Sequence, residues 1–458
     1  MSCRVWINNE GTTVSQSPPL DAGYNMPSEE AHPRATSLNR RSIVAVGIGN
    51  GLEFYDFAIF AALTPVISQL FFPSGDPLSS VLSTFAVFAV GFLMRPVGAI
   101  FFGRLADGRG RKIAMILAVT IMGVSTVLLG LLPVYAQIGI WAPVLLVIAR
   151  MFQGLSVGGE FGTSATFLIE FAPSNRRGLY GAFAFFSATA GSVLGIFLVF
   201  VLNLLMSTDN INSWGWRIPF LLSFPLLVLG FYLRQRVAES PEFQEVKTEE
   251  ARLKSPVLTV FKEHWRGILI VIGIVLGFAT ASATVQAFLP SYIRTVIGLS
   301  PRVTLGSVLI ATTLAVFMVL AFGHLSDRYG TKPILVLASV LTVALPYPSL
   351  IIIGLGGFGS ALLGQVILWT PVAAFGGAAP AAWAEMFPTR VRVSGFGIAY
   401  GFGTAIFAGS APFVATWLIE LTGNDVAPAW YMIAGGAVTL VVIITCVSGK
   451  FHSQKRTK

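Results

Sequence analysis

The chain has 458 residues, of which 54% are hydrophobic and only 11% charged, against roughly 25% charged in soluble domains; its mean hydropathy is +0.76. So few charges cannot clothe a water-soluble surface of this size, so lipid must cover most of the exterior. His32, His264, His324 and His452 fall outside the apolar runs, and Cys3 and Cys446 stand at opposite ends, which excludes a haem or imidazole metal site in the membrane and a disulfide framework.

Residues 1–42 are polar, of mixed charge, and contain Pro18, Pro19, Pro27 and Pro33. They read as a disordered tail, without the apolar core and cleavage site of a signal peptide. A membrane span needs about 20 apolar residues. Twelve stretches qualify: 43–72, 80–102, 113–132, 141–171, 179–206, 216–233, 267–293, 303–322, 333–354, 360–386, 394–420 and 429–449. Each is expected to be helical, because a helix satisfies its own backbone hydrogen bonds in lipid. The connection 234–266, rich in Glu and in Lys or Arg, divides them into bundles at 43–233 and 267–449, and 450–458 forms a second tail.

Of the 30 Lys and Arg residues, 25 fall in the tails and the even-numbered connections. Arg95, Arg150 and Arg217 lie within or at the start of spans, and only Arg294 and Arg302 lie in a connection on the other side. The positive-inside rule then predicts that both termini are cytoplasmic. The formal net charge of +9 is thus a topology signal, and nucleic acid is not an expected partner.

The two halves repeat each other. GRLADGRGRK at 103–112 returns as GHLSDRYGTK at 323–332, and EFAPSNRR at 170–177 returns as EMFPTRVR at 385–392. Two parallel six-helix repeats place a substrate site between the halves near the midplane.

These residues resemble the major facilitator superfamily, whose loop between helices two and three reads G-x-x-x-D-x-x-G-R-[KR], with a degenerate copy between helices eight and nine. Here the positions are Gly103, Asp107, Gly110, Arg111 and Lys112, then Gly323, Asp327 and Gly330. GNGLEFYDF at 49–57, GFLMRPVGAIFFGRLAD at 91–107, ARMFQGLSVGGEFGTSATFLIE at 149–170 and AEMFPTRVR at 384–392 are similar to its metabolite–proton symporter family. Relatives there include permeases for α-ketoglutarate, citrate, shikimate, and proline or betaine. The resemblance covers residues 43 to 449. It implies an all-α membrane protein whose twelve transmembrane helices form two pseudo-symmetric six-helix bundles. It also implies an inner-membrane location and transport driven by a proton gradient without a cofactor.

Charges inside a bilayer cost about 2.5–3.5 kcal/mol each on insertion scales, so each needs a reason. Glu53 and Asp56 lie about 16–21 Å into the first span at 1.5 Å per residue. Spaced i, i+3, they share a helix face. Two desolvated carboxylates disfavour double ionisation, and an acid so placed can load and release a proton. The competing reading is a fixed pair tying the first helix to a neighbour. Glu160, nearer the cytoplasmic end, is a weaker proton candidate. Arg95, followed by Pro96, presents a planar fork that suits a carboxylate. It either anchors an anionic substrate or pairs with Glu53, Asp56 or Glu160.

Gly154, Gly158 and Gly162 recur every four residues after Arg150, as do Gly397, Gly401, Ala405 and Gly409 in the eleventh span; such spacing suits close helix packing. Glu170 and Glu385, each followed by Pro and Arg, read as a cytoplasmic latch. The gating and structural set is Gly103, Asp107, Gly110, Arg111, Arg150, Glu170, Arg177, Asp327, Glu385 and Arg392. Thr280, Thr284 and Gln286 in the seventh span and Tyr400 in the eleventh are possible substrate contacts. The 36 Phe residues hint at an apolar lining.

The expected function is proton-coupled uptake of a small carboxylate by alternating access, with a single copy sufficient. The alternatives are a proline- or betaine-type zwitterion symporter, or a facilitator or exporter of aromatic acids or drugs. The short tail after the last span weighs against osmosensing relatives, which often have a longer coiled-coil tail. An enzyme or ATP-driven pump is not expected, because no G-x-x-x-x-G-K-[ST] loop is present.

Overall fold

A computed structural model describes residues 40–235 and 256–447, apart from 75, 110, 171, 174, 389 and 390. Among them every regular element is helical, and eleven helices are long and apolar enough to cross a membrane. In chain order spans 1 to 4 are Val46–Phe71, Pro77–Phe102, Ile113–Leu131 and Trp141–Gly158. Spans 5 to 8 are Arg177–Leu205, Gly215–Tyr232, Trp265–Thr295 and Pro301–Tyr329. Span 9 is the pair Thr331–Ala344 and Pro346–Gly354, bent by 46°, and spans 10 to 12 are Phe358–Glu385, Arg392–Thr422 and Pro428–Cys446. The helix of span 4 continues to Glu170.

The twelve spans lie where hydropathy predicts them, because lipid leaves an apolar segment no other way to satisfy its backbone. The connection 234–266 is more structured than its composition suggests, since helix Pro256–Glu263 precedes span 7. The terminal segments 1–39 and 448–458 lie outside the described residues.

Local chemistry sets several helix ends. Asp76 accepts hydrogen bonds from the N–H groups of Leu78 and Ser79 at the start of span 2, and Pro77 occupies a first-turn position that needs no donor. The Ser79 hydroxyl, then the Ser79 and Leu78 N–H groups, hold the Asp76 carboxyl below the usual carboxylate range. Ser300 caps span 8 in the same way through Val303. Gly330 turns the chain from span 8 into span 9 at φ +93°, a conformation that side chains disfavour. The bend in span 9 falls at Pro346, which has no N–H to continue the ladder.

In the first half span 1 packs on spans 5 and 6, spans 2 and 3 on span 4, and span 6 on span 3. In the second, span 7 packs on spans 11 and 12, span 8 on span 10, and span 9 on spans 10 and 12. The halves meet where span 5 lies against span 8 and span 2 against span 11.

Of the glycines expected to permit close packing, Gly154, Gly158, Gly162 and Gly409 stand at tight contacts, whereas a methyl at Gly397 would meet nothing within 4 Å and one at Gly401 only ordinary contacts from 3.8 Å. A methyl at Gly154 would overlap the carbonyl of Gly91, and one at Gly158 the carbonyl of Arg95. Span 4 therefore touches span 2 backbone to backbone. At Gly162 a methyl would stand 3.0 Å from the Cα of Gly397, so this position serves the crossing of spans 4 and 11 between the halves. Across the same interface, a methyl at Gly409 would press on the Phe92 side chain.

Overpacking a tight contact costs about 1–3 kcal/mol. Gly158→Val should therefore lower the thermal midpoint of the purified protein by several degrees. Gly359→Ala, whose added methyl meets nothing within 4 Å, should leave it unchanged.

Candidate functional site

Among the described residues two arginines, Arg95 and Arg150, are buried, and each meets a carboxylate of span 1. The helix of span 2 is interrupted at Met94, just before the Arg95–Pro96 pair, because Pro96 offers no donor to the preceding turn. Arg95 is buried there, with its Nη2 3.7 Å from Glu53 Oε1. Its guanidinium lies 3.8 Å from the centroid of Phe92 and 4.9 Å from that of Phe57. Among the described residues its Nε has no hydrogen-bond partner.

The second pair sits inside the first bundle. Arg150 Nη1 donates to Asp56 Oδ2 at 2.9 Å, and its guanidinium lies 3.6 Å from the centroid of Phe60. Gln153 Nε2 donates to both Asp56 Oδ1 and Thr126 Oγ1, each at 2.9 Å. Glu53 and Asp56 are therefore not a mutual pair, as their spacing suggested. Each faces its own guanidinium, and Arg150 belongs to this buried network rather than to a surface latch. Burying an ion is expensive unless its counter-ion comes with it, and both pairs meet that condition.

Between the halves lies a cavity of about 60 Å³. The first half contributes Phe54 and Phe57 from span 1, Phe88, Phe92 and Arg95 from span 2, and Ser192 from span 5. The second half contributes Phe278 and Gln286 from span 7, Thr312 from span 8, Trp369 from span 10, and Tyr400 and Thr404 from span 11. Among the described residues Arg95 is the only arginine or lysine in this lining, and Asp56 and Arg150 are not part of it.

Of the expected substrate contacts, the structure brings Arg95, Gln286 and Tyr400 into the lining of one cavity. Thr284 is buried outside the lining, and the Thr280 hydroxyl donates to the carbonyls of Leu276 and Gly277 in its own helix. Sequence reasoning missed Gln153 and Thr126, although Gln153 follows Arg150 at helical spacing i, i+3. It also missed Asn50, a fully buried amide with no hydrogen-bond partner among the described residues, one turn before Glu53. Span 7 contains a π-turn at Thr284–Phe288 and span 11 another at Thr404–Ala408. Such turns interrupt the ordinary helical ladder and often occur at functional positions.

The cavity is bridged at both ends. At the basic face Asp327 of span 8 accepts the N–H groups of Gly178 and Leu179 at 2.7 and 3.0 Å, capping span 5 of the other half. Arg177 Nη1 lies 3.7 Å from Glu385 Oε1, also across the halves. Arg392 Nε donates to the carbonyls of Ala384 and Phe387 in its own half. At the opposite face Arg302 Nε donates to the Asn203 carbonyl at 3.3 Å. Gly110 lies outside the described residues, as do the surroundings of Gly103, Asp107, Arg111, Glu160 and Glu170.

Comparison with known proteins gives a consistent picture. The family model described as "Sugar (and other) transporter" matches residues 42–255. The chain is 34% identical to the glycine betaine/proline/ectoine/pipecolic acid transporter OusA of Dickeya dadantii, over 92% of this chain and 84% of that one. It is 34% identical to the proline/betaine transporter of Escherichia coli K12, over 89% and 83% of the two chains. Among solved structures, the proton:xylose symporter XylE bound to 6-bromo-6-deoxy-D-glucose superposes with a TM-score of 0.72 at 18% identity, covering 89% of this chain and 96% of that one. A partially occluded, inward-open form of XylE from E. coli gives 0.70 at 19% identity, covering 89% and 98%. At that identity the structural likeness speaks for the fold alone.

Removing one member of a buried ion pair costs about 3–5 kcal/mol, since the other is left uncompensated. Arg150→Ala should sharply lower the thermal midpoint. The double variant Asp56→Leu with Arg150→Met should recover much of that loss, and a double variant as unstable as the single one would contradict the pairing.

Proposed function

Because the chain belongs to the major facilitator superfamily, among its sugar and metabolite transporters, and is thus a multi-pass secondary transporter, we propose that it takes up a compact zwitterion of the betaine or proline class together with a proton. The observation that carries this reading is the charge balance of an aromatic cavity. Arg95, the one cation among the described residues of its lining, already faces Glu53. A di- or tricarboxylate would bring two or three negative charges to a wall with one guanidinium. A zwitterion brings no net charge. Its carboxylate suits the Arg95 fork, and its ammonium suits the faces of Phe57, Phe88, Phe92, Trp369 and Tyr400, where a desolvated cation–π contact contributes about 2 kcal/mol or more. The likeness to transporters named for proline and betaine supports the same choice over the carboxylate that the sequence favours.

Coupling follows from competition for one guanidinium. When a substrate carboxylate takes Arg95, the contact with Glu53 weakens, and an ionised carboxylate without a nearby cation is costly in a dry interior. A proton on Glu53 removes that cost. Substrate and proton therefore reinforce each other's binding, and the effect is reciprocal. Asp56, held by Arg150 and Gln153 and away from the lining, is the positioning partner in this scheme. The basic face is cytoplasmic, both termini lie on that side of the inner membrane, and one copy of the chain completes the cycle.

Glycine betaine and proline should accumulate in proteoliposomes under an inward proton gradient, and a protonophore should abolish that accumulation. Accumulation of α-ketoglutarate or citrate with no betaine uptake would overturn the zwitterion reading. Glu53→Gln should retain betaine exchange but lose uphill accumulation and its dependence on pH; a variant that still concentrates betaine like the parent would remove Glu53 from the scheme. Arg95→Ala should weaken binding at least about 30-fold, the loss of about 2 kcal/mol expected for truncating one partner of a buried charge pair.

A further inference from the structure

A layer of aromatic rings separates the cavity from the latch at the basic face. Phe161 and Phe185 come from the first half, and Phe278, Trp383, Phe396 and Tyr400 from the second. Across the halves Phe161 stacks on Tyr400 at 4.7 Å, and Phe185 meets Phe278 edge-on at 4.9 Å. Within the second half Trp383 stands 5.4 Å from Tyr400, 5.7 Å from Phe396 and 5.8 Å from Phe278. Phe278 and Tyr400 also line the cavity, so the layer begins where the cavity ends. On its other side Trp383 precedes Glu385 by two residues, and Glu385 pairs with Arg177.

Trp383 is the one ring of this layer with an unexplained polar atom. It is 0% exposed, and its Nε1–H has no hydrogen-bond partner among the described residues. Leaving a buried donor unsatisfied costs about 1–3 kcal/mol, and Phe would fill an apolar layer without that cost. Opening the basic face must separate Phe161 and Phe185 from the four rings of the second half, because the two groups sit on opposite sides of the moving interface. The separation uncovers the faces of Trp383, Phe396 and Tyr400 beside the indole N–H, directly on the route out of the cavity.

We propose that Trp383 forms a second, exit-side subsite for the zwitterion, assembled only when the basic face is open. The indole N–H donates to the carboxylate after it leaves Arg95, and the uncovered ring faces receive the ammonium. The subsite repeats the chemistry of the central cavity, one donor beside an aromatic wall, without a charged residue to retain the passenger. It rests on the zwitterion reading and adds to it a difference between the two faces of the protein.

The test measures half-saturation for glycine betaine from each face, by zero-trans influx and efflux in proteoliposomes of uniform orientation. Trp383→Phe keeps a ring and removes the donor. It should raise half-saturation at the cytoplasmic face at least about fivefold and leave the extracellular value within about twofold of the parent. An equal change at both faces, or none, overturns the subsite. Should the Phe variant fail to fold, Trp383→Tyr carries the comparison, because its hydroxyl can replace the donor. Cytoplasmic half-saturation within about twofold of the parent supports the subsite, and an equal rise at both faces overturns it. A parent protein with no betaine flux overturns the zwitterion reading and the subsite with it, whereas betaine flux with an unchanged Trp383→Phe, or with an equal rise at both faces in either variant, overturns the subsite alone.

Discussion

A cation held in an apolar interior needs an anion beside it, and this requirement organises the first half of the protein. Span 1 supplies both acids, and spans 2 and 4 each supply one guanidinium. The Asp56–Arg150 contact at 2.9 Å is a direct hydrogen-bonded pair, whereas Glu53 and Arg95 stand 3.7 Å apart. Each guanidinium also lies over a phenylalanine ring, which replaces part of the hydration it has given up. The shorter pair is enclosed and further fixed by Gln153. The longer one borders the cavity, where a passenger can compete for it.

Much of this architecture is legible in the amino-acid chain, because lipid is a severe solvent. It forces apolar runs into helices and makes every interior charge conspicuous, so the twelve spans and Glu53, Asp56, Arg95 and Arg150 all stand out. Pairing is a different matter. Asp56 and Arg150 are 94 residues apart in the chain, and only helix rotation decides which acid meets which arginine. Residues at i and i+3 differ by about 60° around a helix axis, enough to aim Glu53 at span 2 and Asp56 at span 4. Gln153 and Thr126 carry no charge and so gave no warning. Thr280 and Thr284 look like substrate contacts in a string of letters, yet one bonds its own helix and the other is buried outside the cavity lining.

Phenylalanine shows the same limit from the other side. Composition alone cannot separate rings that face lipid, such as Phe317, from those that line the cavity or close it below, such as Phe88 and Phe161. That division depends on which helix faces meet between the halves. Besides the ring and glycine contacts, the polar contacts across the interface among the described residues include a helix cap from Asp327, a partly exposed Arg177–Glu385 pair, and a bond from Arg302 at the far end. None of them buries a charge deeply, so breaking any of them strands no ion in oil.

The glycine seam has a mechanical meaning. Gly154 and Gly158 set span 4 against span 2 backbone to backbone, and Gly191 does the same for span 5 against span 1. The two guanidiniums therefore ride on the closely packed pair of spans 2 and 4, and the two acids on the closely packed pair of spans 1 and 5. The cavity they border is closed by rings of both halves, Phe57, Phe88 and Phe92 on one side and Phe278, Trp369 and Tyr400 on the other. On the proposed reading, a passenger seated between them would act as a strut that ties the two halves together.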